Sequence, residues 1–414
     1  MVINFILGGL FFLCYFYQFV YLVVPFVFKS KTYTAAKEHT YALLVCARNE
    51  EGVIDELIQT ALAQTYPKKL FRVFVVADNC TDKTAEVARA AGATVYERND
   101  KTKIGKGYAL QFLLEQIWAD YGQTAFDIFM VFDADNLLDK HYLAEINKTF
   151  SAGYNIVTGY RNTKNYGDNW ISAGYALWFL RESRFLNHAR MLLNTSCFVS
   201  GTGFGFKREV IEKASGWNFF LLTEDIEFTA YNCLQGEKIG YCPTAELYDE
   251  QPVRFSQSWR QRMRWARGYM QVFGKYGRSL FTGIFKKNGF ARFDMCMCIM
   301  PAIVVTMLSI VVNLTSMILH IVSGQNPSVV ITSALQACAN AYLLLLGIGT
   351  ITTLSEWQHI HTTTCKKILY ILTFPLFMMT YIPISLVALF RKVEWKHIEH
   401  TKKMTLQEVR KKQS

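Results

Sequence analysis

Uncharged apolar runs at both ends, bracketing a polar middle, constrain this chain more than any other feature. Met1 to Phe28 carries no charge and only Asn4 and Gln18 as strongly polar side chains. It is long enough to cross a hydrocarbon layer of roughly 30 Å. It lacks a basic start and a small-residue cleavage site before Lys29, which favours a retained anchor over a signal peptide. Three further runs, Phe293 to Val322, Val329 to Leu354 and Ile368 to Phe390, each exceed the roughly 18 residues expected of a span. The polar stretch between them, about 260 residues, suffices for one large α/β domain. The expected division is an N-terminal transmembrane helix at 1–28, an α/β domain at 29–255, interfacial helices at 256–292, a membrane region at 293–390 and a basic tail at 391–414.

The net charge of +11 raises nucleic acid as a partner, but the cations sit beside the apolar runs. Lys29 and Lys31 follow the first run; Arg278, Lys286, Lys287 and Arg292 precede the second; Arg391 to Lys412 holds eight Lys or Arg. That is the positive-inside pattern. It predicts no nucleic-acid partner, contact with membrane lipids, and a central domain and tail that both face the cytoplasm. The ten cysteines form no C-x-x-C pair, which fits reduced thiols better than a disulfide framework or a zinc site. Sequons such as Asn147-Lys148-Thr149 are then chance matches. A full crossing by Ile368 to Phe390 would put the basic tail outside. Pro375 and Pro383 interrupt that run, so a re-entrant or interfacial hairpin competes with an additional crossing elsewhere.

Within the middle, Tyr41 to Ala47 and Phe71 to Ala77 are continuous apolar runs. Each is followed by a polar turn and a helical pattern, Val53 to Gln64 and up to Ala91. Buried strands alternating with helices make βαβ units and a parallel sheet. Ligands bind such sheets beyond the carboxyl ends of the strands, where Glu50 and Asp78 fall; Asp78 and Thr81 suit helix capping equally well. Lys103 to Tyr108 is a glycine-flanked loop with two ammonium groups, suited to a phosphate or simply to water. A third strand, Phe126 to Phe132, ends at Asp133-Ala134-Asp135. Two carboxylates one residue apart after a buried strand suit a hard divalent ion on a diphosphate, or else an N-cap and turn.

Further on, Trp170 to Leu193 mixes apolar residues with Arg181, Arg184 and Arg190, which suits a helix at the membrane surface or a partly buried core helix. Glycines alternate in Ser200-Gly201-Thr202-Gly203-Phe204-Gly205, a pattern that lets backbone approach a ligand. Asp225 opens a helical run as a general base or as a cap, with Glu224 beside it. Ser256 to Phe273 reads as a basic helix with Ser256 as its cap. On it Gln261, Arg264 and Trp265 share one face, where a guanidinium could fork onto a diphosphate and an indole could stack on a sugar. An interfacial basic helix would use the same residues structurally.

Asp78, Asp133-Ala134-Asp135, Thr223-Glu224-Asp225 and Gln261-x-x-Arg264-Trp265 occur in the order seen in family 2 membrane glycosyltransferases. From Tyr41 to Gly274, and in the flanking membrane segments, the chain resembles the synthases of cellulose, chitin, hyaluronan and poly-N-acetylglucosamine. The resemblance implies a GT-A-like α/β domain with a mostly parallel sheet. It implies that Asp78 meets the uracil of a UDP-sugar with Glu50 nearby, and that Asp133 and Asp135 hold the diphosphate through Mg2+ or Mn2+. Lys106 would lie near the phosphates, Asp225 would be the base, and Gln261, Arg264 and Trp265 would border the growing glycan acceptor and the pyrophosphate. Ala77 replaces a second acid that many members carry, leaving the base contact to Asp78. The expected activity is inverting, processive synthesis of a β-linked polysaccharide, from UDP-N-acetylglucosamine as first choice and UDP-glucose as second, with export through the chain's own membrane segments. Two alternatives stand: a single-transfer lipid glycosyltransferase similar to ceramide glucosyltransferase, and a non-catalytic export or scaffold component. No room is expected after the last apolar run for a cyclic-dinucleotide domain, so such control would need an accessory subunit.

Overall fold

The computed structural model describes residues 2–324, 328–395 and 397–411. Met1, Lys396 and Lys412, which the expected anchor and basic tail include, lie outside the described residues.

Eight strands form one sheet: β1 (Tyr41–Ala47), β2 (Phe71–Asp78), β3 (Thr94–Arg98), β4 (Ile128–Asp133), β5 (Leu137–Leu138), β6 (Ile156–Thr163), β7 (Phe204–Lys207) and β8 (Ile239–Asp249). Their order is β3-β2-β1-β4-β7-β6-β8-β5. The β3-β2-β1-β4 half and the β6–β8 pair are parallel, whereas β7 and β5 run against their neighbours. The apolar runs in β1, β2 and β4 are unbroken because both sheet faces are covered. Ala42, Leu44, Phe74, Val76, Phe129 and Val131 enter one core, while Leu43, Val45, Val73, Val75, Met130 and Phe132 enter the other. The third strand starts at Ile128, two residues later than the apolar run suggests, because Asp127 is taken up by Thr40, whose backbone N–H and hydroxyl both donate to it.

Trp170 to Leu193 is a continuous helix with a π-helical stretch at Glu182–Asn187. Nearly all of Ile171 to Leu180 is buried, so the core-helix alternative holds and the surface alternative does not. Asn169 starts it with a capping box shared with Ser172. The basic helix runs from Phe255 to Gly283, longer than Ser256 to Phe273, and Arg254 rather than Ser256 precedes its first turn, with no side-chain cap. Burial of Val272, Gly277, Leu280 and Gly283 on its far half extends it.

Among the described residues, three helical stretches are long and apolar enough to cross a membrane, namely Ile6–Val27, Val330–Ser355 and Thr364–Phe390, and a shorter one is Thr306–Val322. The run from Phe293 is divided. Its first part belongs to Gly289–Ile299, whose Asp294 is buried and receives Arg190 Nε at 2.7 Å, and a new helix begins at Pro301. A buried carboxylate in its own ion pair ties that first part to the α/β domain. Thr364–Met379 and Tyr381–Phe390 meet the domain at Lys366, Phe377, Thr380 and Tyr381. Lys366 Nζ donates to Gly167 O at 2.6 Å, Arg262 Nη1 donates to Phe377 O at 3.0 Å and to Thr380 Oγ1 at 2.7 Å, and Tyr381 stacks on Trp178. A Cβ on Gly174 would come within 2.3 Å of the Phe377 ring, so glycine sets this close approach.

Candidate functional site

The carboxyl ends of β1, β2 and β4 open into one cleft, and the first turn of the Glu224–Leu234 helix and the middle of Phe255–Gly283 face it from the other side. Glu50, Asp78, Lys106, Asp133, Asp135, Glu224, Asp225, Gln261, Arg264 and Trp265 all line that cleft.

Strand register builds the side of the cleft formed by β1, β2 and β3. Asp78 pairs with Arg98 across β2 and β3, which puts Arg98 Nη1 2.6 Å from Asp78 Oδ1. Asn79, at φ +53°, donates to the same oxygen at 3.0 Å. Burial raises the Asp78 carboxyl above its usual range, against the opposing pull of Arg98. The Thr84–Ala90 helix is preceded by Lys83 without a side-chain cap, so Asp78 and Thr81 do not cap it. Beside β1, burial pushes Glu50 up to about 7 even though His400 pulls it down.

Asp133, at the end of β4, accepts from Lys106 Nζ, which also donates to Gly201 O at 2.8 Å. Asp135 accepts from the Glu250 backbone N–H at 2.6 Å. Burial alone would raise the Asp135 carboxyl, but His400, Lys164, that N–H and Arg161 hold it below its usual range. Asp135 thus remains an anionic oxygen donor, and with the Asp133 oxygens beside it the cleft wall offers a hard donor set that suits Mg2+ or Mn2+ when other oxygen ligands complete the shell.

The opposite side, around Glu224 and Asp225, is different in character. Asp225 Oδ2 accepts from Gly201 N–H at 2.6 Å, and the Ile226 backbone N–H of its own helix also favours the carboxylate, so the glycine loop and the helix start together set its position. Gly201 and Gly203 have φ +73° and +66°, and a Cβ on Gly203 would lie 2.0 Å from Leu247. The loop therefore acts as a brace between Lys106 and Asp225. Burial, and then the neighbouring Asp225, push Glu224 up to about 7, and burial raises Asp225 as well. Arg264 Nη1 donates to Leu222 O at 3.3 Å, and Trp265 packs edge-on against Tyr175 and Phe179. Gln261 Oε1 is buried without a protein partner, as are Arg48 Nη1 and Asp249 Oδ1 on other cleft residues. Buried polar atoms normally have partners, and a polar ligand in this cleft would supply them.

Several cleft residues escape a reading of the motifs. Asp249 ends β8 as Asp133 ends β4, so the strand-end rule could have found it; Arg161 Nε binds its carboxylate at 2.6 Å. The stretch after Phe390 is the larger surprise, because it folds back over the cleft and Trp395, His397 and His400 line it. His400 Nδ1 sits 2.9 and 3.1 Å from the Glu50 oxygens. The Thr401 and Lys402 backbone N–H groups both donate to Glu250 at 3.0 Å, and the Arg48 guanidinium lies 4.9 Å from the Trp395 ring centroid. Burial disfavours the His400 cation, but Asp135, Glu50 and Glu250 outweigh it and push the imidazole up to about 10. Past the cleft, Arg410 Nη2 meets Asp139 at 2.7 Å and Val409 is buried with Leu137 and Tyr248. Positive charge that reads as a membrane signal in the sequence thus meets an acidic rim. The one local hint was two histidines and a tryptophan among the lysines.

A parallel sheet with antiparallel insertions and a carboxylate cleft at its strand ends is the architecture of GT-A glycosyltransferases. The chain belongs to the glycosyltransferase-like family 2, whose family model matches residues 39–268. It is 28% identical over 272 residues to the probable glycosyltransferase YdaM of Bacillus subtilis (strain 168), covering 58% of this chain and 57% of that protein. It is 27% identical over 246 residues to a beta-monoglucosyldiacylglycerol synthase of Synechocystis sp., covering 58% and 50%. To a poly-beta-1,6-N-acetyl-D-glucosamine synthase of Staphylococcus aureus (strain MSSA476) it is 28% identical over 244 residues, covering 56% and 54%. The chain therefore spans about half the length of the curated relatives it matches. Among solved structures, the mannosyltransferase PcManGT from Pyrobaculum calidifontis, in complex with GDP-Man and Mn2+, superposes with a TM-score of 0.60 at 16% identity, covering 93% of this chain and 98% of that one. That likeness is one of fold.

Proposed function

We propose that this chain is an inverting glycosyltransferase that uses a UDP-sugar at the cytoplasmic face of a membrane and builds a β-linked polysaccharide, with UDP-N-acetylglucosamine as first choice and UDP-glucose as second. The observation that carries the transfer reaction is the meeting of Asp78, Asp133, Asp135, Asp225, Arg264 and Trp265 in one cleft. Asp78 and Glu50 receive the nucleobase end. Asp133 and Asp135 would hold Mg2+ or Mn2+, which when bound neutralises the diphosphate. The acceptor hydroxyl gives its proton to the Asp225 carboxylate as its oxygen bonds to the anomeric carbon, and the bond from that carbon to the diphosphate oxygen breaks. Lys106 and Arg264 meet the negative charge that gathers on the leaving diphosphate. One in-line displacement inverts the anomeric configuration. Trp265 with Trp178 and Tyr381 offers ring surface to the acceptor sugar.

A membrane setting is supported by the apolar helices, and a catalytic-side tail by the contacts of residues 397–411 with the α/β domain. With Thr364–Phe390 meeting the domain, the N-terminal helix and the helices Pro301–Val322 and Ser328–Ser355 suffice as crossings. This is the hairpin alternative, and a reporter fused at Ser414 that is found outside rejects it.

A lipid acceptor is the second reading, favoured by the similarity to a glucosyldiacylglycerol synthase. Membranes incubated with each labelled UDP-sugar and Mg2+ test both. Label in a polymer that resists lipid extraction supports the first, label in a single lipid supports the second, and no incorporation from any sugar rejects both.

A further inference from the structure

We propose that the turn joining the Phe255–Gly283 and Gly289–Ile299 helices is a docking site for an anionic lipid surface. Outside the apolar membrane runs only seven large hydrophobic side chains are exposed among the described residues, and three of them cluster here, Phe285 in the turn and Phe281 and Phe290 on the helix ends that flank it. Phe285, at its tip, is 84% exposed. Scattered exposed apolar residues need no explanation, but a cluster of aromatic rings marks a contact surface.

The turn is held in shape, so the exposure of Phe285 is not a product of loose chain. Asn288 sits at φ +62°, and a Cβ on Gly289 would lie 1.9 Å from the Ile284 carbonyl oxygen. Arg292 turns inward, donating from Nη1 to Gly283 O at 3.2 Å and Lys287 O at 3.1 Å, and from Nη2 to Leu234 O at 3.4 Å. That leaves Arg278, Lys286 and Lys287 exposed, with no ion pair to any of them among the described residues. No Asp or Glu occurs between Arg278 and Phe293.

Two observations choose a lipid surface over a protein partner. The Gly289–Ile299 helix is followed directly by the apolar Pro301–Val322 helix, and the Phe290 ring lies edge-on to Tyr17 of the N-terminal apolar helix, with centroids 5.8 Å apart. The turn is therefore level with the membrane segments. Unpaired cations around aromatic rings match an interface in which rings enter the acyl boundary and ammonium groups meet anionic headgroups. The inference rests on a membrane setting but not on the transfer reaction.

The test uses the full chain in vesicles of brominated phosphatidylcholine, or of that lipid mixed with brominated phosphatidylglycerol. Phe285→Trp adds one indole, read as the emission of the variant minus that of the unsubstituted protein. Roughly half of the added emission should be lost to bromine, as for a ring about 5–10 Å into the boundary. The loss should be greater with phosphatidylglycerol, and Lys286→Gln with Lys287→Gln should abolish that excess. Added emission equally bright in brominated and unbrominated vesicles would overturn the docking site. An excess that survives both lysine changes would overturn the anionic preference. Because the readout is fluorescence, it stands or falls apart from the enzymatic reading.

Discussion

The cleft holds two carboxylate pairs with opposite surroundings. Asp133 and Asp135 end a strand facing cations and backbone donors, namely Lys106, His400 and the Glu250 N–H, and Asp135 is held below its usual range. Glu224 and Asp225 open a helix where desolvation raises both and the Asp225 charge raises Glu224 further. Environment, not residue type, separates the two: the carboxylate held down at Asp135 suits a cation, and the raised carboxyls of Glu224 and Asp225 suit proton uptake, as the proposed function requires. The strap that covers the first pair comes from the far end of the chain, and the second pair is braced by a loop only some two dozen residues upstream.

The strongest way to break this contrast is Asp225→Asn. If the second pair is the proton acceptor, transfer should fall by about 10²–10⁴-fold while UDP binding, read by calorimetry, is retained; normal turnover would remove Asp225 as base. Asp135→Asn attacks the other pair. It should leave metal-free UDP binding nearly intact and weaken the Mn2+-dependent part by at least the roughly 10–100-fold that outer-shell changes cost metal sites, measured by titration with and without Mn2+. Equal weakening in both titrations would contradict the cation role.

His400→Ala sharpens the comparison from the strap. One charge-assisted hydrogen bond is lost to Glu50, so KM for the UDP-sugar should rise by up to about tenfold, and residues 391–411 should become easier to cleave in limited proteolysis. Protease resistance equal to that of the unsubstituted chain would show that His400 does not hold the strap. The smallest effect expected is in pH dependence. A base must be deprotonated, so kcat should fall as pH drops through the range of Asp225, which burial raises above the ordinary carboxylate value. Glu224→Gln removes a neighbouring negative charge, so it should lower the Asp225 pKa and move that acid limb to lower pH. Glu50 titrates at about 7, and a limb that does not move on Glu224→Gln would belong to Glu50. His400, held up at about 10, stays charged through this window.

Much of the α/β half is legible without coordinates. Continuous apolar runs at β1, β2 and β4 can be buried on both faces only in a layered sheet, and the acids that end those strands mark its ligand edge. Helix periodicity likewise puts Gln261, Arg264 and Trp265 on one face. Less could be read where one residue type serves two physical ends. Arg264 faces the cleft while Arg262, two residues earlier, is fully buried beneath Phe377. The lysines and arginines after Phe390 read as a membrane charge signal because the acids they meet in the fold lie far away in sequence.

Local pattern thus determined which segments are apolar, which turns carry carboxylates and which helix face carries the guanidinium and the indole, because these depend on spacings of a few residues. Tertiary structure alone decided that Asp225 is braced by Gly201, that Lys366 reaches Gly167, and that His400 closes onto Glu50 across 350 positions of chain. Those contacts depend on charge and shape complementarity between surfaces that only the folded chain brings together, and no short-range periodicity encodes them.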